Sequence, residues 1–233
     1  MRRWILEAVI LSLGLWLGGV NIKDGIYKFV EGNRTVTVKG LAEQEIAANK
    51  VTWPLMYKQV GDDLPTLYNK INSTNQTIVE FLKKKGVQKS EITINAPEII
   101  DLQAERYRST QIMHRYNVTA VITVTSNQVD LIRKLINEQG ELLKQGIAIT
   151  NDDYRYNVQY EFTALNDIKP MMIEEATRNA RAAAEQFAED SDSDLGKIKS
   201  ATQGQFTISD RDANTPYIKR VRVVTTITYS LED

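Results

Sequence analysis

The chain has 233 residues, 42% hydrophobic and 25% charged, ordinary values for a globular protein and sufficient for a real core. Its 29 basic and 30 acidic residues leave no basic surplus, so nothing points to nucleic acid as a partner. There is no cysteine, which excludes disulfides, thiolate metal sites, a cysteine nucleophile and a lipid-modified N-terminal cysteine. The one histidine, His114, leaves little material for a Ser-His-Asp triad or a multi-histidine zinc site.

Met1-Arg2-Arg3 is positive, and Trp4 to Val20 is apolar apart from Glu7 and Ser12. This pattern predicts a signal or anchor segment over residues 1–22 that places the rest of the chain outside the cytoplasm. Cleavage after Gly18 or Gly19 would put Trp16 or Leu17 at the −3 position, which suits a signal peptidase poorly. The expectation is therefore an uncleaved N-terminal helix in the inner membrane, with secretion to the periplasm after cleavage as the alternative. Residues 23–33, with Gly25 and Gly32, read as a tether, and residues 34–233 as one domain.

Strand alternation begins at Thr35-Val36-Thr37-Val38 before Gly40, and a second strand is expected over Lys50–Gln59, with Pro54 marking an edge or a bulge. Asp62 opens a helix with Pro65 in its first turn. Leu64, Leu67, Tyr68, Ile71, Ile78, Val79 and Leu82 share one face, and Lys83-Lys84-Lys85-Gly86 stops it. Glu91–Ala96 is strand-like, Pro97–Arg108 is ambiguous, and Arg115–Thr125 is a strand with Tyr116, Val118, Ala120, Ile122 and Val124 on one face. A second helix is expected from Asn127 to Gln145, weakened at Gly140.

Tyr154–Ala164 alternates as a strand. Asn166 or Asp167 then caps a third helix with Pro170 in its first turn, and its apolar face runs through Ile173, Ala176, Ala180, Ala183, Ala184 and Phe187. So many alanines imply close approach to a sheet. Lys197–Ser209 reads as a strand or bent pair. The last strand carries Val221, Val223, Ile227, Tyr229 and Leu231 on one face. Amphipathic strands and a few helices predict an α+β fold with a largely antiparallel sheet, helices on one face, and two βαβ-containing halves.

Chemistry-bearing motifs are scarce: there is no Gly-rich phosphate loop, nucleophile elbow or zinc signature. The carboxylate pairs Asp62-Asp63, Asp152-Asp153 and Glu174-Glu175 could act as acid and base, though the first and third fall at helix starts, where acids are favourable anyway. Asp190-Ser191-Asp192-Ser193-Asp194-Leu195-Gly196 resembles the start of a calcium loop, but its glycine comes one place late and Ala201 stands where a bidentate glutamate belongs. Asn33, Asn72, Asn75 and Asn117 each begin an N-x-S/T sequon. No catalytic, cofactor or metal-binding residue is assigned.

Several segments together carry a resemblance: TVTVKGLAE at Thr35–Glu43, FLKKKGVQKSEIT at Phe81–Thr93, RYNV at Arg115–Val118, IKPMMIEEATRNARAAAEQFAEDSDSDLG at Ile168–Gly196 and ATQGQFTI at Ala201–Ile208. In this order they resemble the SIMPL domain family of bacterial periplasmic and outer-membrane antigen-like proteins. The resemblance implies an extracytoplasmic α+β domain that self-assembles, has no established catalytic residues and is loosely associated with envelope or oxidative stress. The function expected is that of a membrane-tethered envelope protein, not an enzyme, acting by homo-oligomerisation or binding. The alternatives are a carboxylate- or metal-dependent hydrolase and a ligand-binding or channel-associated module, the latter marked by an apolar pocket or ring pore.

Overall fold

The computed structural model describes residues 11–23, 25, 34–104, 113–150 and 153–232. The strands in chain order are β1 (Thr35–Ala47), β2 (Lys50–Gly61), β3 (Ile92–Ile94), β4 (Glu98–Asp101), β5 (Tyr116–Ser126), β6 (Gln159–Glu161), β7 (Asp194–Gln203), β8 (Thr207–Asp210) and β9 (Ile218–Glu232). The helices are α1 (residues 11–23), α2 (Leu64–Lys84), α3 (Val129–Glu138), α4 (Gly140–Leu143) and α5 (Leu165–Asp190). The fold is α+β with antiparallel pairing, as the amphipathic strands predict.

α1 is exposed along its whole length, including Leu11, Leu13, Leu15, Trp16, Leu17, Val20 and Ile22. It spans about 20 Å at 1.5 Å per residue, against about 30 Å of bilayer hydrocarbon. Among the described residues no helix is long and apolar enough to cross a membrane. The first ten residues of the predicted anchor lie outside the described residues, as does the predicted tether apart from Lys23 and Gly25.

The chain forms two compact units: Met1–Gln44, Leu165–Ile208 and Arg220–Asp233 in the first, Glu45–Ala164 and Ser209–Lys219 in the second. The divisions fall inside β1, β8 and β9 and between β6 and α5. The first unit is built on a sheet in the order β1-β9-β7, with β8 also paired to β9. Val36, Ile227, Tyr229 and Leu231 form a core with Ala180, Ala184 and Ala188 of α5. Met172, Ala176, Ala180, Ala184 and Ala188 are buried at strict four-residue spacing, so one narrow line of small side chains touches the sheet. Ala183 and Phe187, expected on that face, are exposed, because a stripe of alanines leaves room for one row of contacts only.

The second unit is built on a sheet in the order β3-β5-β2-β6, with β4 also on β5. Val51, Trp53, Leu55 and Tyr57 of β2 lie opposite Ser126, Val124, Ile122 and Ala120 of β5. The face they share is covered by α2 through Leu67, Ile71, Ile78, Phe81 and Leu82, and by α3 through Ile132 and Leu135. Each such fully buried Leu or Ile contributes about 1.5–3 kcal/mol. Asp63 caps α2, accepting from Thr66 N at 2.9 Å, and Lys85 at the other end bonds Glu138 and Glu141 at 2.8 and 2.9 Å. The lysine run thus ends a helix. A motif recurs in both units: a helix, an edge strand broken in two, then one long strand paired with both pieces (α2, β3/β4, β5 and α5, β7/β8, β9).

Several elements differ from their predicted form. β1 continues through Gly40, where the sequence suggests an end, because the glycine gives α5 room against the strand. Of the two readings of Pro54, an edge or a bulge, the edge holds: it pairs in register with Thr123 on one side, while β6 reaches only Lys50–Thr52 on the other, so no β6 partner loses a bond. The second helix breaks at Gly140 into α3 and α4. The predicted strand over Tyr154–Ala164 shrinks to β6, preceded by a 3-10 turn at Tyr154–Tyr156 in which Asp153 Oδ1 accepts from Arg155 N at 2.9 Å. Tyr154 is 86% exposed, while Tyr156, Val158, Tyr160 and Phe162 are half-buried and alternate with exposed neighbours, Val158 and Tyr160 packing on the core. α5 starts at Leu165, which places Pro170 inside it, beyond the first turn.

Candidate functional site

A cleft of about 260 Å³ opens in the second unit between α2 and the broken edge strand. On the helix side it is lined by Leu64, Leu67, Tyr68, Ile71, Asn72 and Asn75, which share a face through i, i+3 and i+4 spacing. On the sheet side Ile94 and Ile99 stand on the α2 face, because they lie opposite Ile122 and Val118 of β5. Both are about half exposed, at 54% and 52%. Their exposure follows from the wall they form: α2 covers β5 but leaves β3 and β4 open.

Three asparagines break the apolar wall. Asn75 is only 7% exposed and sits mid-helix, where asparagine is a poor helix former. Its Oδ1 accepts from the Tyr57 hydroxyl at 2.8 Å, and that hydroxyl also reaches the Ile71 carbonyl at 3.1 Å. Burial pushes the Tyr57 hydroxyl pKa well up, so it stays a donor. The Asn75 Nδ2 has no hydrogen-bond partner among the described residues, nor does the half-buried Asn72 carboxamide. Asn95 donates from Nδ2 to Thr123 Oγ1 at 2.9 Å and from its backbone N to Val121 O at 3.0 Å, which fixes the gap between β3 and β4. None of the described side chains lining the cleft is charged.

Charged groups hold its frame instead. Arg115 grips both Asp101 oxygens, with Nη2 2.9 Å from Oδ2, and Leu102 N donates to Arg115 O at 2.8 Å, so β4 is pinned to the start of β5. The Arg115 guanidinium holds Asp101 below the usual carboxylate range. Asp62 accepts from Arg115 N at 2.8 Å and lies 3.2 Å from His114 Nδ1; those bonds lower its pKa in that order.

The candidate residues of the sequence fall into structural places. Asp63 is a helix cap, Asp62 and His114 tie two segments together, and Asp153 caps a turn; Asp152 lies outside the described residues. Glu174 is exposed on α5 and Glu175 half-buried. Asp190 lies in α5, where its Oδ1 accepts from Gln186, Asp192 turns the chain at φ 51°, and Asp194 starts β7. These three aspartates diverge, and among the described residues no group of three His, Asp or Glu side chains is arranged to hold a metal ion. Of the sequons, Asn33 lies outside the described residues and Asn75 is buried. An apolar pocket is expected only as the mark of the ligand-binding alternative, with no residues assigned to it; two asparagines within the apolar stripe of α2 are the trace this cleft leaves in the sequence.

Fold and cleft together define an α+β protein of antiparallel sheets with a largely apolar cleft whose described lining is uncharged. The SIMPL family model, described as a protein of unknown function (DUF541), matches residues 36–229, and the chain belongs to that family. A search of curated proteins gives no match.

Proposed function

We propose that this SIMPL protein works by binding rather than by catalysis, as a self-assembling domain held at the outer face of the inner membrane by its N-terminal segment. The observation that carries the reading is the open cleft, whose walls among the described residues offer apolar surface and amide groups but no nucleophile, base or charge. Support for the tether comes from the apolar run at residues 4–20 and the exposed apolar side chains of α1. The physiological setting in this proposal is envelope or oxidative stress.

Fractionation and crosslinking in intact cells test it. The full chain is expected to sediment with membranes through a high-salt wash and to crosslink to further copies, and removal of residues 1–22 is expected to abolish membrane retention. A full chain that stays in the cytoplasm, or crosslinks to nothing at any expression level, overturns the reading.

A further inference from the structure

Resting on that reading, we propose that the cleft takes a neutral peptide segment in extended conformation, with apolar side chains at alternate positions. Three features of the site select this ligand. The first is the absence of charge in the lining among the described residues: an ionised fatty acid or phospholipid headgroup would find no cation among them, and desolvating it would be costly.

The second is the amide content. Asn72 offers a whole carboxamide and Asn75 its Nδ2, neither with a partner among the described residues, Asn75 Oδ1 being held by the Tyr57 hydroxyl. A carboxamide carries both donor and acceptor, as a peptide group does, so it can bond a peptide backbone in both directions. Against a bare hydrocarbon chain the same groups would be buried unsatisfied.

The third is the strand edge. Among the described residues β3 and β4 pair only with β5, so their second edge presents N–H and C=O groups beside the cleft. A chain extended along this edge sends every second side chain to the α2 face, where Ile94 and Ile99 wait half exposed. The volume, about 260 Å³, lies below the ~300–1,000 Å³ of drug-sized pockets and suits one or two such side chains. Pro97 and the gap it sits in limit pairing to short stretches on either side, which favours a short segment over a whole added strand.

The test is calorimetric titration of the full chain in lipid nanodiscs. The probes are an end-capped neutral heptapeptide alternating threonine with valine or phenylalanine, the same composition in blocks, dodecanoate, and decanol. The alternating peptide is expected to bind saturably and more tightly than the other three. Asn72→Leu should weaken it about three- to tenfold, the loss of one hydrogen bond. Ile94→Glu, which places a charge in the wall, should weaken it at least about tenfold. Arg178→Ala, on the exposed surface of α5, should leave it unchanged. Circular dichroism melting confirms that each variant is folded.

Decanol binding without peptide binding makes the site a hydrocarbon pocket and overturns the peptide assignment while leaving a binding function intact. Tighter binding by Asn72→Leu overturns it also. Uptake of no probe, together with loss of crosslinked copies in Ile94→Glu, assigns the cleft to a second copy of the chain and overturns the proposal. Uptake of no probe with crosslinking unchanged overturns both it and the reading it rests on.

Discussion

Gly40 of β1 lies directly against Ala180 of α5: a methyl group on Gly40 would fall 2.4 Å from the Ala180 nitrogen and 2.8 Å from its Cβ. It would also fall 1.8 Å from the carbonyl oxygen of Ala176. Helix and strand therefore meet backbone to backbone at this point, and the four-residue alanine spacing of α5 serves that contact.

Gly40→Ala should accordingly be destabilising at or beyond the top of the usual overpacking range of about 1–3 kcal/mol. The clash is with main-chain atoms, which cannot rotate away. Ala180→Gly in the same chain removes only one of the three contacts and should not rescue it. Urea denaturation of the single and double variants checks this; recovery in the double variant would show that side-chain crowding alone is at issue.

Gly86 makes the opposite case. Its φ of +100° ends α2, while the nearest atom to an added Cβ is Leu131 Cδ2 at 3.8 Å. Gly86→Ala should cost about 1–2 kcal/mol through backbone conformation alone. Thermal melts should show the loss with the cleft's peptide affinity unchanged; a cost near zero would mean that the turn relaxes.

What the sequence made legible follows from burial. β5 and β9 alternate because one face of each is packed and the other is not, so the period of two survives in the residues themselves. Tyr154 and Tyr156 continue the alternation of Val158 and Tyr160, but Asp153 caps a turn over Tyr154–Tyr156, and there a side-chain hydrogen bond decides the backbone over the pattern. β4 was illegible because a strand of four residues inside a polar stretch carries too little periodicity, and without β4 the cleft has no second wall. The lining asparagines look in sequence like flaws in an amphipathic helix; only beside Ile94 and Ile99 do they become a surface.

The hydrogen bond from Tyr57 to Asn75 joins the cleft floor to the core, and its removal should be felt in stability. Tyr57→Phe leaves Asn75 Oδ1 and the Ile71 carbonyl without this donor in a buried setting, a cost of about 1–3 kcal/mol. Adding Asn75→Leu removes the stranded amide and should recover part of that loss. Denaturant midpoints of the two single variants and the double variant give the coupling; strict additivity would show that the two groups do not interact.

Asp212 gives the sharpest dependence on pH. Thr215 Oγ1 donates to its Oδ2 and Arg211 Nε does so at 3.0 Å, while Asn214 N and Thr215 N donate to Oδ1 at 2.8 and 2.9 Å. These bonds, the Thr215 hydroxyl first and Arg211 next, hold its pKa down to about 2. An unfolded aspartate titrates near ~3.9. The folded state therefore binds the proton less readily, and the stabilisation is complete above about pH 4, falls as pH drops through the window, and is gone below about 2. Asp62, Asp63, Asp101 and Asp153 are lowered too and act in the same direction. Asp212→Asn keeps an acceptor oxygen but no charge, so it should melt below the unsubstituted protein at pH 6, and the difference should close as pH approaches 2. Melting temperatures of both proteins at pH 6, 4 and 2 check this. A gap of constant size across that range would mean that the Asp212 contacts act by shape rather than by charge.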